Sequence, residues 1–248
     1  MIPIKDEASL EAMRASGRVA ADVLARLVAA VAPGVATGDL DALARELLRD
    51  RGAASAFLGY RGFPAAICVS INEEVIHGIP GSRRIAAGDL VSLDVGVLLH
   101  GFHGDTAATV PVGVSDPDAL RLLATTRRAL DAGIAAVRSG ARLSDVSHAV
   151  ETAVDAGACS VVRDFVGHGI GRALHEEPQV PNHGRPGHGP ALAAGMTFCI
   201  EPMVNLGGPA VEVLADGWTV VTRDRRPSAH FEHMVAVRPG GAEVLTRP

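Results

Sequence analysis

The chain has 248 residues, 48% hydrophobic and 21% charged, with a formal net charge of -5. That length and balance suit a globular fold with a sizeable core, and the acidic surplus argues against broad nucleic-acid binding. No apolar run approaches the roughly 20 residues of a membrane span, and the charged start MIPIKDEASLEAMRAS lacks the apolar core of a signal peptide.

Glu7 to about Val31 has helical rhythm, with Leu10, Met13, Ala20, Val23, Leu24, Leu27 and Val28 on one face, and Pro33-Gly34 stops it. Thr37 is placed to cap a second helix, Gly38 to Arg51. Ala66 to Ile71 reads as a strand, followed by a turn-rich loop from Asn72 to Gly81 containing His77. Leu90 to Thr106, LVSLDVGVLLHGFHGDT, reads as a hairpin rich in β-branched and apolar residues. Helices follow over Asp118 to Arg138, with Pro117 at the first turn, and over Ser144 to Ala156. Then come Ser160 to Phe165, a glycine- and histidine-rich loop reaching Pro190, a strand from Met196 to Asn205, and a final pair from Trp218 to Val237. The three cysteines (Cys68, Cys159, Cys199) have no CxxC spacing and read as reduced thiols, so a cytoplasmic protein is expected.

The order repeats. Gly34 with Asp39-Leu40 matches Gly140 with Asp145-Val146, and Gly88 and Gly195 precede Asp94 and Glu201 by the same interval. The expectation is one domain over 1–248, built from related halves at about 5–113 and 116–240 that share one sheet.

Chemistry concentrates in apolar strands. A hairpin turn near Leu99-His100 would set Asp94 directly opposite Asp105, where two like charges destabilise the pair unless something positive lies between them. Glu201 in TFCIEPMVN and Glu232 in AHFEHMVAV are again single acids in apolar surroundings, with no Lys or Arg in either strand. Four such acids match the charge of two divalent cations, and an imidazole from FVGHGIGRALHEEPQVPNH would favour manganese, iron or cobalt over magnesium or calcium. His168 and His175 are the candidates there. His100, His103, His183, His188, His230 and His233 are expected to stand apart from the chemistry, the last two facing away from Glu232.

These residues lie in motifs that resemble the type I methionine aminopeptidases of peptidase family M24: YRGFP with SINEEVIHGIP, LDVGV with HGDT, GHGIGRALHEEPQV, EPM, DGWTVVT and FEH. The resemblance spans Ile4 to Glu232. It implies an α+β pita-bread fold, two pseudo-symmetric halves around a curved antiparallel sheet with helices outside. It also implies that Asp94, Asp105, His168, Glu201 and Glu232 ligate two divalent ions (cobalt, manganese or iron, with zinc an option). His168 and Glu201 would hold one ion, Asp94 the other, with Asp105 and Glu232 bridging.

The implied activity is removal of the initiator methionine from nascent chains, preferring a small second residue. Glu201 acts as general base for the attacking water, His175 donates to the oxyanion and His77 orients the amide beyond the scissile bond. Tyr60, Phe63, Cys68, Leu174 and Trp218 form the implied thioether pocket. Leu174 stands where an aromatic is usual, Phe63 replaces a frequent Tyr, and Phe57 sits where a smaller residue is common. Asn72 and Ser228 match positions that supply oxygens to a monovalent cation. The implied partners are chain ends bearing methionine and, transiently, the ribosome, with no nucleic acid or membrane; a monomer is expected. A proline-directed relative such as aminopeptidase P or prolidase is disfavoured by HGIP and DGWT. A silent binding protein of the same fold is disfavoured by retention of all five ligand positions and by the net acidity.

Overall fold

The computed structural model describes residues 1–247. Four helices, α1 (Glu7–Ala30), α2 (Thr37–Asp50), α3 (Pro117–Ala136) and α4 (Leu143–Ala156), flank a curled nine-stranded sheet and two three-stranded sheets. No described helix is long and apolar enough to cross a membrane. The order helix, helix, strands occurs twice, and the halves match in backbone detail. Gly34 N donates to Ile85 O at 2.8 Å, and Gly140 N to Leu192 O at 2.9 Å; Ala36 bridges Arg84 as Arg142 bridges Ala191. The periodic glycines and acids seen in sequence are thus the repeated joint between a helix pair and its strands.

Strand parity decides which layer each residue joins. In Leu90–Leu99 the odd residues Val91, Leu93, Val95 and Val97 pack with Leu27, Leu40 and Leu48 under α1 and α2. Phe198, Ile200, Val235 and Val237 pack with Leu122, Leu130, Val146 and Val150 under α3 and α4. Both helix pairs therefore cover the outer face. The alternate residues, Asp94 and Asp105, Cys199 and Glu232, are left to the inner face. Each wholly buried Leu or Val contributes about 1.5–3 kcal/mol by leaving water, and that outer core fixes the register which holds the acids inward.

Several local expectations are corrected. The turn falls on His100-Gly101, as those residues suggest, with φ of 51° and 77°, but Leu99 then faces Phe102 and Asp94 faces Ala107 in place of Asp105. Asp105 faces Gly96, placing the two acids diagonally on one face instead of opposite each other. A two-residue turn with both φ positive matches strand twist, and this selects the register. Thr37 does not cap α2: Ala36 is the N-cap, Asp39 accepts from its backbone N–H, and Thr37 Oγ1 donates to Gly81 O. The expected strand Met196 to Asn205 is two, Thr197–Ile200 and Met203–Asn205, in different sheets, because Pro202 cannot donate to a ladder. His168, expected in a loop, lies in the short strand Gly167–Gly169.

Close helix–sheet contact depends on Gly104, where an added Cβ would stand 2.7 Å from Ser16 C and 2.8 Å from Gly17 N of α1. Backbone cannot yield as a side chain can. Gly104→Ala is expected to lower stability by about 1–3 kcal/mol, read as a reduced urea midpoint at unchanged m value.

Candidate metal centre

The inner face collects five donors from four segments. Asp94 and Asp105 come from the hairpin, His168 from Gly167–Gly169, Glu201 from the break after Thr197–Ile200, and Glu232 from the start of Glu232–Arg238. Asp105 and Glu232 are 4% and 3% exposed. Asp94 Oδ1, Asp105 Oδ1, Glu201 Oε1 and Glu232 Oε1 are buried among the described residues without a hydrogen-bond partner. Oxygens of Asp105 and Glu232, a ring nitrogen of His168 and Cys199 Sγ lie within 4.8 Å of one another. Burial pushes Asp94 up to about 7. Burial and then the neighbouring carboxylates push Asp105, Glu201 and Glu232 well above the usual range. Four acids so placed repel one another, and no Lys or Arg stands among them.

His168 completes the case for a cation. Its Nδ1 lies 3.0 Å from Gly169 O, an acceptor, so the ring carries its proton there. That leaves the lone pair of Nε2 facing Glu201 Oε1 at 3.5 Å and Asp105 Oδ2 at 3.9 Å. Burial, then His175, pull its pKa down to about 3, so these contacts are not ion pairs. A neutral nitrogen lone pair aimed at buried carboxylate oxygens calls for a proton or a cation between them. A backbone carbonyl fixing the other ring nitrogen is how metal-binding imidazoles are held. The residues present fit divalent metal ions.

A cavity of about 180 Å³ opens beside these donors. All five expected pocket residues, Tyr60, Phe63, Cys68, Leu174 and Trp218, line it together with His77 and His175. Tyr60 lies 2.8 Å from His175 Nδ1 and stacks on its ring, and His175 in turn stands 4.1 Å, centroid to centroid, from His168. With Tyr60 donating to Nδ1, the His175 proton sits on Nε2, the tautomer an oxyanion donor needs. His77 has φ 59°, a region uncommon for such a residue, and its ring meets the edges of Phe165 and Trp218 at 5.9 and 6.1 Å. Burial, then His175, draw His77 down to about 4, and burial lowers His175 as well. Phe63 meets Trp218 edge-on at 5.1 Å. Phe57 lies over Gly96, whose missing side chain leaves the space its ring takes. Leu174 lines the cavity and is buried with Leu10, Met13 and Ile170.

Asn72 and Ser228 meet, Ser228 N donating to Asn72 O at 2.9 Å. Among the residues expected to stand apart, His233 lies on the outer face with Arg127 and Arg247, and His188 and His100 are exposed. His230 does not stand apart. It is 3% exposed, and its unpartnered Nε2 is 3.9 Å from Glu201 Oε2. Residues 230 and 232 share parity, so alternation along the sequence sets His230 on the same side as Glu232 and leaves only His233 facing away. His103 is also half-buried, its Nδ1 3.2 Å from Gly171 O. Phe165 and Arg61 line the cavity unforeseen, since neither lies in a patterned element.

A curled antiparallel sheet with outer helices and an inward cage of oxygens and one imidazole defines a metal-dependent hydrolase of pita-bread fold. Residues 11–239 match metallopeptidase family M24. The chain is 48% identical over 246 residues to a methionine aminopeptidase of Clostridium perfringens, covering 99% of each. It is 47% identical over 247 residues to methionine aminopeptidase 1 of Bacillus subtilis, covering all of both. The crystal structure of methionine aminopeptidase from Thermotoga maritima superposes with a TM-score of 0.98 at 43% identity, each chain fully covered. The chain belongs to metallopeptidase family M24, on its type I methionine aminopeptidase branch.

Proposed function

We propose that this enzyme removes the N-terminal methionine of nascent proteins and peptides, preferring a small second residue. In this reading Asp94, Asp105, His168, Glu201 and Glu232 would hold two divalent ions. What supports it above all is the set of unpartnered buried oxygens facing the His168 lone pair beside an aromatic cavity. Ions of this class, when bound, supply Lewis-acid chemistry: they make water acidic and polarise a carbonyl. Manganese, iron and cobalt suit the donor set best, with zinc compatible.

The chain's own groups do the rest. Glu201 takes the proton of the attacking water and returns it to the leaving amine, a role worth about 10²–10⁴-fold. His175, its Nε2–H free because Tyr60 occupies Nδ1, donates to the carbonyl oxygen as charge develops, a contribution of about 3 kcal/mol. His77, held neutral between Phe165 and Trp218, orients the amide beyond the scissile bond. Tyr60, Phe63, Cys68, Leu174 and Trp218 receive the thioether, with Phe57 narrowing the mouth. Asn72 and Ser228 supply oxygens to one monovalent cation. A monomer acting in the cytoplasm, with transient ribosome contact, completes the reading.

The test is release of methionine from Met-Ala-Ser against Met-Leu-Ser with manganese, iron and cobalt compared. Faster cleavage of Met-Ala-Ser is expected with each active metal. Equal or reversed rates would overturn the assignment of specificity.

A further inference from the structure

Cys199 is left without a task by the reaction above. It lies in Thr197–Ile200, fully buried, facing inward from the strand that leads into Glu201. Its Sγ belongs to the quartet with Asp105, His168 and Glu232 whose donor atoms all lie within 4.8 Å of one another. Two of its members carry a buried oxygen without a hydrogen-bond partner, Asp105 Oδ1 and Glu232 Oε1. One sulfur, one imidazole nitrogen and two carboxylate oxygens make the number and mixture of donors that zinc accepts in a tetrahedral site. Asp94 and Glu201 stand outside this quartet.

Oxygen-seeking ions gain nothing from a thiol, whereas thiophilic ions gain a strong ligand. We propose that Asp105, His168, Cys199 and Glu232 form a second coordination mode of the centre, a single mixed-donor site for a thiophilic divalent cation such as zinc or cadmium. The proposal rests on the five-donor reading for its location. On binding, the Cys199 S–H proton leaves to solvent and a sulfur electron pair enters the bond to the cation. Because Asp105 and Glu232 are the two residues expected to bridge the ions, a thiophilic ion held by them and by sulfur takes over the shared ligands. Such ions therefore load once per chain, where manganese loads twice.

X-ray absorption at the zinc edge tests this on protein loaded with one equivalent. A sulfur neighbour at about 2.3 Å is expected beside nitrogen and oxygen at about 2.0–2.1 Å. Cys199→Ser and Cys199→Ala lose the sulfur signal, while Cys68→Ser keeps it. Cadmium affinity falls by at least about tenfold in Cys199→Ser, and manganese affinity changes by less than about threefold. A wild-type spectrum with no sulfur neighbour decides against the site even where a variant misfolds, and Cys199→Ser beside Cys68→Ser assigns any sulfur that is seen. Zinc bound through nitrogen and oxygen only would overturn the thiolate site and leave the five-donor reading standing. A sulfur signal surviving in Cys199→Ser would also overturn it. Failure of both zinc and manganese to bind would sink the five-donor reading itself.

Discussion

Glu201→Gln is expected to lower kcat for methionine release by about 10²–10⁴-fold at matched metal content, with the fold intact. Glutamine keeps the shape of the side chain and one oxygen but cannot take a proton from water. The same substitution should stabilise the metal-free protein. Glu201 Oε1 is buried without a partner and lies 3.5 Å from the lone pair of His168 Nε2. An amide in its place cannot ionise, so it escapes the cost of charging a buried acid beside Asp105 and Asp94 as pH rises, and it offers an N–H to that nitrogen. Loss of activity together with a higher urea midpoint in chelator is thus the expected signature, and near-normal turnover at equal metal occupancy would remove Glu201 from the chemistry.

Metal removal should reverse the pH dependence of stability above neutrality. In the folded chain Asp94 is pushed to about 7, and Asp105, Glu201 and Glu232 are pushed well above the usual carboxylate range, because burial disfavours their charges. The unfolded chain releases these protons near pH 4. Between there and the raised values the folded state binds more protons, so its stability falls as pH rises. The buried histidines act oppositely. His168 and His230 near 3 and His77 near 4 stay neutral when folded, which adds stability as pH climbs to about 6.5 and nothing beyond. Above about pH 6.5 the carboxyls dominate, joined toward pH 9 by the buried Cys68 and Cys199 thiols, which burial also pushes up, and metal-free protein should lose about 1.4 kcal/mol per pH unit for each proton still held. Denaturant midpoints across that range, in chelator and in manganese, make the comparison. A flat or rising curve in chelator would contradict the buried-acid cage.

Much of this cage was legible in the chain. Single acids in apolar strands are expensive unless something compensates them, and that rule alone picked out Asp94, Asp105, Glu201 and Glu232. The repeat was legible because Gly34 and Gly140, like Gly88 and Gly195, take positive φ at equivalent joints. What failed was register and breakage. Whether Asp94 faces Asp105 or Ala107 depends on one residue of turn position, which apolar patterning does not determine. Pro202 splits a strand that reads as continuous. The place of His230 near Glu201 depends on the approach of two strands distant in sequence, which alternation within one strand does not reveal. The aromatic pocket is a different case. Tyr60, Phe63 and Trp218 would pass for ordinary core residues on pattern alone, and the resemblance to a family singled them out.

The donors are divided between the halves: two arise in the first hairpin and three in the later strands, Glu232 beginning one of the last. A polypeptide still emerging from synthesis thus has an incomplete socket for most of its production. With the five donors as proposed, the socket closes only once the strand that begins at Glu232 has taken its place beside the earlier ones.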